Sequence, residues 1–526
     1  MRLISFKNLF KYQKSIFILL PLLIIALYLA SIDVRYSVAG DATGKWQQTK
    51  DIIDKPIFDF SCTYNYKFDP QFKYIPGANY FYFLEKSKCS HMYSYPFAYM
   101  YAPFLYLFSD YGIYIFNYLS WVLFIFSFAN IAKLAVTENS KSYFYGGLFA
   151  IFIAPSIYAI GLTEVTITIS LGLYALLLIY SSLRNLENKN SMRLFFSGLI
   201  LGLIFGFRTE SIIYSFSICI ASLFYFILKR EKIRTVFSFA IPLGVGLLLG
   251  LGFITISHYF LFGNIVGFRG MTAANLIKDG FNFRNQLEIV RLQLFAGNRG
   301  LFTSMPIILF SSFYFFTRKK KTITADGVFF ILIASLSALI IVLTTPWGDF
   351  ADWTPRYLAL AFAPFLFSVL QISLSNESKL LKNKWAKWIF IILLTYSIFF
   401  NLAGLVISSK ITNMLKKINL KIESIAADTI ILDTQIPYIY ITQSNFNKPI
   451  FSLRLNETDT IETGTKKFIE LVSMLEKENK SRRILVIQAE GISKFSFIGD
   501  EIENWKSTES TSILKKVKFL VIEKEK

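Results

Sequence analysis

Charged side chains are scarce in this sequence. They make up 17% of its 526 residues, while 54% of the residues are hydrophobic. Soluble domains carry roughly a quarter charged residues, and a soluble protein could not bury this much apolar surface, so a soluble globular fold is excluded. The remaining charge is unbalanced, at +20. Much of it lies in short basic clusters between apolar segments, which argues against a nucleic-acid partner.

Cysteine and histidine are equally rare. The three cysteines form no CxxC pair and the two histidines lie far apart, so neither a zinc site nor a histidine-based metal site is indicated. Cys62 and Cys89 fall in one loop and could pair as a disulfide if that loop is extracytoplasmic. A Mg²⁺ or Mn²⁺ site built on Asp41 and Asp349 stays open, but their spacing does not predict one, and no cofactor is assigned.

Long apolar segments dominate what is present. A helix crosses the bilayer core with about 20 apolar residues, and this length predicts an all-α polytopic membrane bundle of about eleven transmembrane helices. The predicted spans are 15–32, 111–132, 143–160, 163–183, 194–207, 211–228, 236–260, 301–317, 327–344, 356–374 and 388–408. A further apolar stretch, Tyr95–Phe108, contains prolines and tyrosines and is interpreted as an interfacial or re-entrant piece.

Basic residues mark one side of these spans. They cluster in 2–14, 133–141, 184–193, 229–234, 318–321 and 379–387. The positive-inside rule assigns this side to the cytoplasm, which predicts a cytoplasmic N-terminus and an outer C-terminus. The predicted division is a transmembrane domain, 1–408, with a large first extracytoplasmic loop, 33–110, followed by a small extracytoplasmic α/β domain, 409–526. The latter is indicated by Ile/Val-rich runs at 429–442, 482–489 and 517–523 and a helical stretch, Thr465–Lys480.

Isolated ionisable residues gather on the opposite, outer side. They are Asp33, Asp41, Glu164, Arg208, Glu210, Arg299, Asp349, Asp352 and Arg356. Ionisable groups close to a bilayer commonly mark a functional site or pair with one another. Asp41 follows the first span and can act as general base on an acceptor hydroxyl, with Asp33 as its close rival. The structural alternative is that Asp41 is the N-cap of a helix.

The other charged residues also admit two interpretations. Glu164 opens the fourth predicted span, where an acid suits the positive end of a helix. Arg208 and Glu210 join two spans and can form an ion pair or bind a ligand. Arg299 and Arg356 can clamp a phosphate through forked hydrogen bonds, or anchor the interface. The positive-inside bias favours the phosphate role, more for Arg356 than for Arg299.

Four motifs occur in order over roughly residues 10–405. They are GDATGKWQQTKDIIDKPIFD, YAIGLTEVTI, GLILGLIFGFRTES, and NRGLFTSMPIILF with PWGDFADWTPRYLALAFAPFLF. Together they resemble the GT-C superfamily of integral-membrane glycosyltransferases, in particular bacterial members related to the protein mannosyltransferases and aminoarabinose transferases. The resemblance implies a helical bundle with a large first extracytoplasmic loop and, often, a soluble C-terminal domain.

The resemblance also implies a reaction and a site. A sugar would pass from a polyprenyl-phosphate donor to a glycan, lipid or protein acceptor on the outer face, with membrane lipids around the protein. The catalytic acid of the family corresponds to Asp41, although Ala42 follows where many members carry a second acid. The substrate-binding and phosphate-binding residues are expected among Arg356, Arg299, Arg208, Glu164, Glu210 and Asp349.

Two other classes of protein stay open. A transporter or a non-catalytic lipid-binding protein would show charges deep in its spans, broken helices in matching halves and a repeat. In this chain the isolated charges gather on the outer side of the predicted spans, and the sequence contains no repeat. A polymerase or ligase of surface polysaccharide would use the same lipid donors. The high content of Ile, Lys, Asn and Phe suggests a bacterial chain, which predicts the cytoplasmic membrane, with the site facing the periplasm or cell exterior.

Overall fold

The computed structural model defines the fold over most of the chain. It describes residues 19, 21–38, 40–56, 59, 61–64, 69, 71–76, 82–85, 88–135, 162–186, 190–267, 283–297, 300–310, 324–345, 356–374, 384–433, 441–455, 459–477, 481–489, 505–514 and 517–524. The predicted span 143–160 and parts of the predicted spans 15–32 and 301–317 lie outside these residues.

The chain is mostly helical. Its described helices are α1 (Pro21–Ala30), α2 (Asp41–Asp54), α3 (Tyr95–Phe108), α4 (Gly112–Ala135), α5 (Glu164–Arg184), α6 (Ser191–Leu203), α7 (Ser211–Lys229), α8 (Ile233–Phe262), α9 (Phe283–Phe295), α10 (Leu301–Ser304), α11 (Ala325–Thr344), α12 (Ala359–Leu374), α13 (Lys384–Ser424) and α14 (Ile461–Lys477). Short 3-10 helices that bear on the candidate site are Val34–Tyr36, Ile204–Gly206, Arg356–Leu358 and Gln443–Asn445.

Several helices have the length and composition of membrane spans. Within the described ranges there are six such stretches: Tyr95–Ala135, Glu164–Arg184, Ser211–Lys229, Ile233–Phe262, Ala325–Thr344 and Lys384–Ser424. These helices confirm a largely helical chain rich in apolar spans, whereas the count of eleven stays a prediction. The stretch 95–108, interpreted from sequence as interfacial or re-entrant, is helix α3, and one 3-10 turn joins it to α4.

The chain divides into two compact units. The helical unit comprises Met1–Ser31, Ser94–Phe97 and Ile113–Ser408, and the mixed unit comprises Ile32–Tyr93, Ala98–Gly112 and Ser409–Lys526. Most of the first loop therefore shares a unit with the C-terminal tail, whereas the sequence suggested grouping this loop with the transmembrane segments. The functional division at 408/409 stays a prediction.

Helices α6 and α8 of the helical unit approach each other through glycine. A Cβ added at Gly198, Gly202, Gly246 or Gly250 would lie 2.0–2.6 Å from a carbonyl oxygen of the facing helix. Small residues four positions apart allow this close approach of helix backbones in membranes. The glycines of the GLILG run in the third motif are therefore explained by helix packing.

The mixed unit is built on a five-stranded sheet. Its strands are β3 (Thr429–Leu432), β4 (Ile450–Ser452), β5 (Arg483–Ala489), β6 (Trp505–Leu514) and β7 (Val517–Lys524), in the order β4–β3–β5–β7–β6. Strand β3 pairs in parallel with β4 and β5, and β7 pairs antiparallel with β5 and β6. The small C-terminal sheet predicted from the Ile/Val-rich runs is thus present. Two earlier strands, β1 (Tyr82–Glu85) and β2 (Lys88–His91), form an antiparallel hairpin.

Both faces of the sheet are buried at its central strands, as β3 shows. On β3, Ile430 and Leu432 contribute to one apolar core and Ile431 to another, as expected from the alternation of side chains along a strand. One core includes Phe468 and Leu471 of α14. The other includes residues of the first loop and of the end of α13: Cys62, Phe72, Ile75, Tyr82, Cys89, Tyr93, Ile418 and Ile422. The first loop therefore supplies one layer of the fold that contains the tail.

Candidate functional site

Asp41 is the first residue of helix α2 in the mixed unit. The N-cap residue before it is Gly40, with φ of 60° and ψ of −130°, a conformation that favours glycine. Asp41 is exposed, and its position in the first turn suits the positive end of the helix. The N-cap position considered for Asp41 in the sequence is occupied by Gly40.

Tyr93, just after the β1–β2 hairpin, contacts the same face of α2 at three places. Its hydroxyl donates a hydrogen bond to Asp41 Oδ1 over 3.2 Å. Its ring centroid lies 5.3 Å from Lys45 Nζ, and its backbone carbonyl accepts a hydrogen bond from Gln48 Nε2 over 3.2 Å. Tyr93 is only 5% exposed. A buried aromatic residue thus contacts about the first two turns of the helix that begins with Asp41.

A buried acid–imidazole pair holds the far end of α2. His91 Nε2 lies 2.6 Å from Asp51 Oδ2, and the backbone N–H of Thr63 donates to the same oxygen over 2.7 Å. Burial lowers the pKa of His91, so we assign a neutral ring that donates from Nε2. Burial opposes ionisation of Asp51, but the hydrogen bonds from His91 and Thr63 outweigh it and lower the pKa of this carboxyl.

A disulfide closes the same region. Cys62 and Cys89 are joined, with their Cα atoms 5.4 Å apart. The backbone N–H of Cys62 also donates to the carbonyl of Cys89 over 2.9 Å. Thr63 and His91, which both hold Asp51, follow the two cysteines closely in sequence. The disulfide therefore keeps the two partners of Asp51 together.

The His91–Asp51 pair should make the stability of the folded protein depend on pH. The folded state keeps His91 neutral, whereas the unfolded chain binds a proton below about pH 6.5. The contribution of His91 to the free energy of unfolding is therefore expected to be fully present above about pH 6.5 and to be lost as the pH falls below that value. The contribution of Asp51 has the same sign, since its lowered pKa makes it stabilising above about pH 4 and lost on further acidification. The unfolding temperature of the purified protein measures the contribution of His91 between about pH 7.5 and pH 5, and that of Asp51 between about pH 5 and pH 3.

Two histidine variants show which residue causes the change of the unfolding temperature with pH. In His91→Gln the side chain can still donate to Asp51 but does not titrate, so the slope between about pH 6.5 and pH 5 should flatten. The other histidine of the chain is His258, in α8. In His258→Gln the unfolding temperature of the mixed unit should change with pH as it does in the wild type. An unchanged slope in His91→Gln would contradict the assignment.

Asp33, the rival of Asp41, is held by two cations. Its carboxylate lies 3.2 Å from Arg35 Nη2 and 2.8 Å from Lys416 Nζ. The hydrogen bond from Arg35, with Lys416 beside it, lowers the pKa of Asp33 to about 2. A carboxylate stabilised in this way is a weak base, which argues against Asp33 as the general base.

The helical unit holds a buried ionic cluster at the start of two helices. Arg208, in the turn before α7, is in salt-bridge contact with Glu210, and its Nη1 lies 3.7 Å from Glu164 Oε1 at the start of α5. Arg208 and Glu164 are 4% and 2% exposed. Burial opposes the charge of Arg208, but the two carboxylates outweigh it and raise the pKa of the guanidinium. The ion pair considered from sequence is therefore present, and a ligand-binding role for these residues stays a prediction.

Tyr357 links this cluster to Arg356. The guanidinium carbons of Arg208 and Arg356 lie 5.2 Å and 5.3 Å from the centroid of its ring, distances typical of cation–π contacts. Arg356 Nη2 also donates to the Tyr357 hydroxyl over 3.5 Å. Of the residues predicted to bind substrate, the structure thus brings together Arg208, Glu210, Glu164 and Arg356.

Other predicted positions cannot be placed. Arg299, Asp349 and Asp352 lie outside the described residues. Asp41 belongs to the mixed unit and the Arg208 cluster to the helical unit, and each is described by itself. Within the part of the chain that the structure covers, no group of three or more His, Cys, Asp or Glu side chains is arranged to hold a metal ion.

Comparison with solved structures supports the helical membrane fold predicted from the motifs. The chain is similar to ArnT from Cupriavidus metallidurans, in the crystal structure bound to undecaprenyl phosphate, with a TM-score of 0.51, 10% identity and 97% of each chain covered. It also matches the oligosaccharyltransferase of Archaeoglobus fulgidus in the apo form, with a TM-score of 0.48, 12% identity, and 90% of this chain and 70% of that chain covered.

At these identities the likeness concerns the fold. With the six apolar helices it supports an integral membrane protein. Comparison of the sequence with models of known families and with curated proteins finds no match.

Sequence reasoning missed several residues that shape the candidate site. Tyr93, Asp51 and His91 were not singled out for it, and neither was Tyr357. The signal available was weak, because a tyrosine in a chain with 29 of them does not stand out. The contacts of Tyr93 and His91 with α2 join residues 40 to 52 positions apart, so no local sequence pattern predicts them.

Proposed function

We propose that this chain is a membrane glycosyltransferase that moves a sugar from a polyprenyl-phosphate donor to an acceptor on the extracytoplasmic face. The observation that carries the proposal is the likeness of its fold to ArnT, which extends over 97% of both chains and whose crystal structure holds undecaprenyl phosphate. Asp41 supports the same reaction, because the residue is exposed and its carboxylate accepts a hydrogen bond from the buried Tyr93.

The proposed mechanism is a direct displacement. Asp41 accepts the proton of the acceptor hydroxyl as the new bond forms between that oxygen and the anomeric carbon of the sugar. The bond from this carbon to the phosphate oxygen breaks, and the lipid phosphate leaves with the electron pair. A phosphate leaving group is already acidic, so no strong general acid is needed. Cationic side chains that meet the departing phosphate would lower the barrier by electrostatic stabilisation.

Arg356 is the principal candidate for the phosphate. It carries the forked donor group that suits phosphate oxygens. Arg208 is already compensated by Glu164 and Glu210, so its contribution would be to hold Tyr357 beside Arg356. Arg299 is a further candidate, and Glu164, Glu210 and Asp349 are candidates for substrate contacts. A Mg²⁺ or Mn²⁺ requirement stays open.

The orientation in the membrane is also a proposal. The basic clusters favour eleven spans with a cytoplasmic N-terminus and the tail outside. The Cys62–Cys89 disulfide supports this orientation, because disulfides form and persist in oxidising compartments. In a bacterial cell this would place the mixed unit, and Asp41 with it, on the periplasmic or outer side of the cytoplasmic membrane.

The proposal is tested with the purified chain in lipid nanodiscs. Mass spectrometry should show consumption of a polyprenyl-phosphate sugar from a donor panel, release of the polyprenyl phosphate, and a product heavier by one sugar. Growth of the product by many sugars would favour a polymerase. Movement of a lipid or solute across the bilayer with every donor left intact would favour a transporter and contradict the proposal.

The hydrogen bond from Tyr93 to Asp41 should affect how the reaction rate depends on pH. In Tyr93→Phe the carboxylate of Asp41 loses a donor that stabilises its charged form, so the acid limb of the pH–rate profile should move to higher pH by up to about one unit. The effect is read from the turnover number between about pH 4 and pH 8.

Tyr82→Phe is the control for Tyr93→Phe. Tyr82 lies in strand β1 of the hairpin that Tyr93 follows, and its hydroxyl donates to Gln47 of α2 rather than to Asp41. Removing it should leave the acid limb in place. An equal shift in both variants would mean that the hairpin acts on α2 as a whole and not through the Tyr93 hydroxyl.

A further inference from the structure

The side-chain amide of Gln443 binds the stretch of chain that leads into Asp41. Its Nε2 donates to the carbonyl of Val34 over 2.8 Å, and its Oε1 accepts from the backbone N–H of Val38 over 3.1 Å. The two contacts define the orientation of the amide, because a carbonyl needs a donor and an N–H needs an acceptor. Gln443 is 6% exposed and more than 400 residues from both partners.

Buried hydrogen bonds to α13 hold the 3-10 helix that contains Gln443. The 3-10 helix Gln443–Asn445 is fixed to Asn419 of α13, whose Oδ1 accepts from the Thr442 backbone N–H over 3.0 Å and from Asn445 Nδ2 over 2.8 Å. Asn419, Thr442 and Asn445 are each 0% exposed. Buried hydrogen-bond networks of this kind rigidify the groups they join.

The stretch that Gln443 holds is itself anchored in the mixed unit. Val34, Tyr36 and Val38 are buried, at 6%, 1% and 1% exposure. The hydroxyl of Tyr36 donates to Glu423 over 3.1 Å, at the end of α13. The 3-10 helix Val34–Tyr36 is therefore held both by the tail and by the last turns of α13.

We propose that Gln443 is a positioning residue for Asp41, and that one role of the C-terminal tail is to place the base. This inference rests on the proposed function. Only two residues separate Val38 from Asp41, so a displacement of Val38 is carried into the first turn of α2. A shift of about 1 Å in a reacting group can cost about 100-fold in rate.

The role assigned to Gln443 differs from one in substrate binding. Both polar atoms of its amide are bonded to the backbone of Val34 and Val38, and the residue is only 6% exposed, so we assign it no contact with a donor lipid or an acceptor. Loss of these two bonds should therefore lower the turnover number and leave the Michaelis constant for the donor nearly unchanged.

Two substitutions test this inference in the full-length protein. Gln443→Met keeps the length of the side chain and removes both hydrogen bonds, and we expect the turnover number per folded molecule to fall about 10- to 100-fold. Gln443→Glu places a carboxylate against the carbonyl of Val34. When protonated, that side chain again offers one donor and one acceptor. Its activity relative to wild type should therefore recover as the pH is lowered.

Ser444→Ala is the matched control. Ser444 is the next residue of the same 3-10 helix, and its hydroxyl contacts Thr442 and Asn445 of the same turn. It should keep turnover within about two-fold of wild type. Size-exclusion chromatography in detergent and limited proteolysis measure the folded fraction of every variant, so that rates are compared per folded molecule.

The results separate the positioning role from its alternatives. A selective fall in turnover with recovery of Gln443→Glu at low pH supports the inference. Wild-type turnover in Gln443→Met, an equal loss in Ser444→Ala, or loss of folded protein in both Gln443 variants would overturn it. A wild-type protein that consumes no polyprenyl-phosphate sugar would overturn the proposed function, and this inference with it, before any Gln443 variant is compared.

Discussion

Replacing Asp41 with asparagine is expected to abolish sugar transfer while the protein stays folded and binds its donor. Asparagine has nearly the same shape but cannot accept the proton of the acceptor hydroxyl. Removal of a general base typically lowers turnover by about 10²- to 10⁴-fold. The loss of a carboxylate at the helix start should cost only about 0.3–1 kcal/mol of stability. The measurement is the initial rate of product formation in nanodiscs, at equal amounts of folded protein.

Asp54→Asn is the control for the loss of a carboxylate from α2. Asp54 is the last residue of the same helix, its side chain is 53% exposed, and its carboxylate lies 3.4 Å from Lys50 Nζ. It should retain wild-type turnover. Asp33→Asn tests the rival base. Full activity of Asp41→Asn, or inactivation by Asp33→Asn alone, would remove Asp41 from its proposed role.

Replacing Arg208 with methionine is expected to destabilise the helical unit strongly. The substitution leaves the carboxylate of Glu164, 2% exposed, without the cation beside it. Glu210 loses its partner at the same time. Removing one member of a buried ion pair costs about 3–5 kcal/mol, because the remaining charge stays desolvated. A large fall in the unfolding temperature in detergent is the expected result.

Two comparisons show whether burial is the cause. Arg184→Met breaks another pair of the same unit, Arg184 with Asp326 at 2.9 Å, in which the side chains are 38% and 13% exposed. Its cost should lie between that of a surface pair, about 1 kcal/mol, and that of the more deeply buried Arg208 cluster. Combining Arg208→Met with Glu164→Gln and Glu210→Gln removes the uncompensated charges and should recover part of the loss. Equal effects of Arg208→Met and Arg184→Met would contradict this explanation.

Arg208→Lys addresses function separately from stability. Lysine keeps the positive charge but not the planar fork or the stacking surface that faces Tyr357. If Arg208 acts by holding Tyr357 beside Arg356, a well-folded Arg208→Lys protein should bind the donor phosphate less tightly. Unchanged donor affinity would confine Arg208 to a structural role.

The sheet illustrates what local patterns reveal. Strands β3, β5 and β7 are apolar runs because both faces of the sheet are covered, and the runs at 429–442, 482–489 and 517–523 marked them. Strands β4 and β6 were not predicted. They lie at the two edges of the sheet. The first is three residues long, and the second reads WKSTESTSIL, largely polar.

The pairings within the candidate site were less visible than its residues. Asp41, Arg208, Glu164 and Arg356 could be named from the sequence because isolated charges stand out in an apolar chain. Their partners could not. Tyr93 and Gln443 are ordinary polar residues in loop-like sequence, and their roles depend on contacts with residues 52 or more positions away.

By itself the sequence determined that this is an apolar, helical chain with a small C-terminal sheet, and that an acid opens the helix after the first apolar segment. These properties are local, since span length, charge clusters and strand alternation are each read within about 20 residues. Only the tertiary structure decided that the first loop and the tail form one unit, with Gln443 against Val34 and Val38 and a disulfide between Cys62 and Cys89. Contacts across such separations arise from the packing of the whole fold, which no short stretch of sequence encodes.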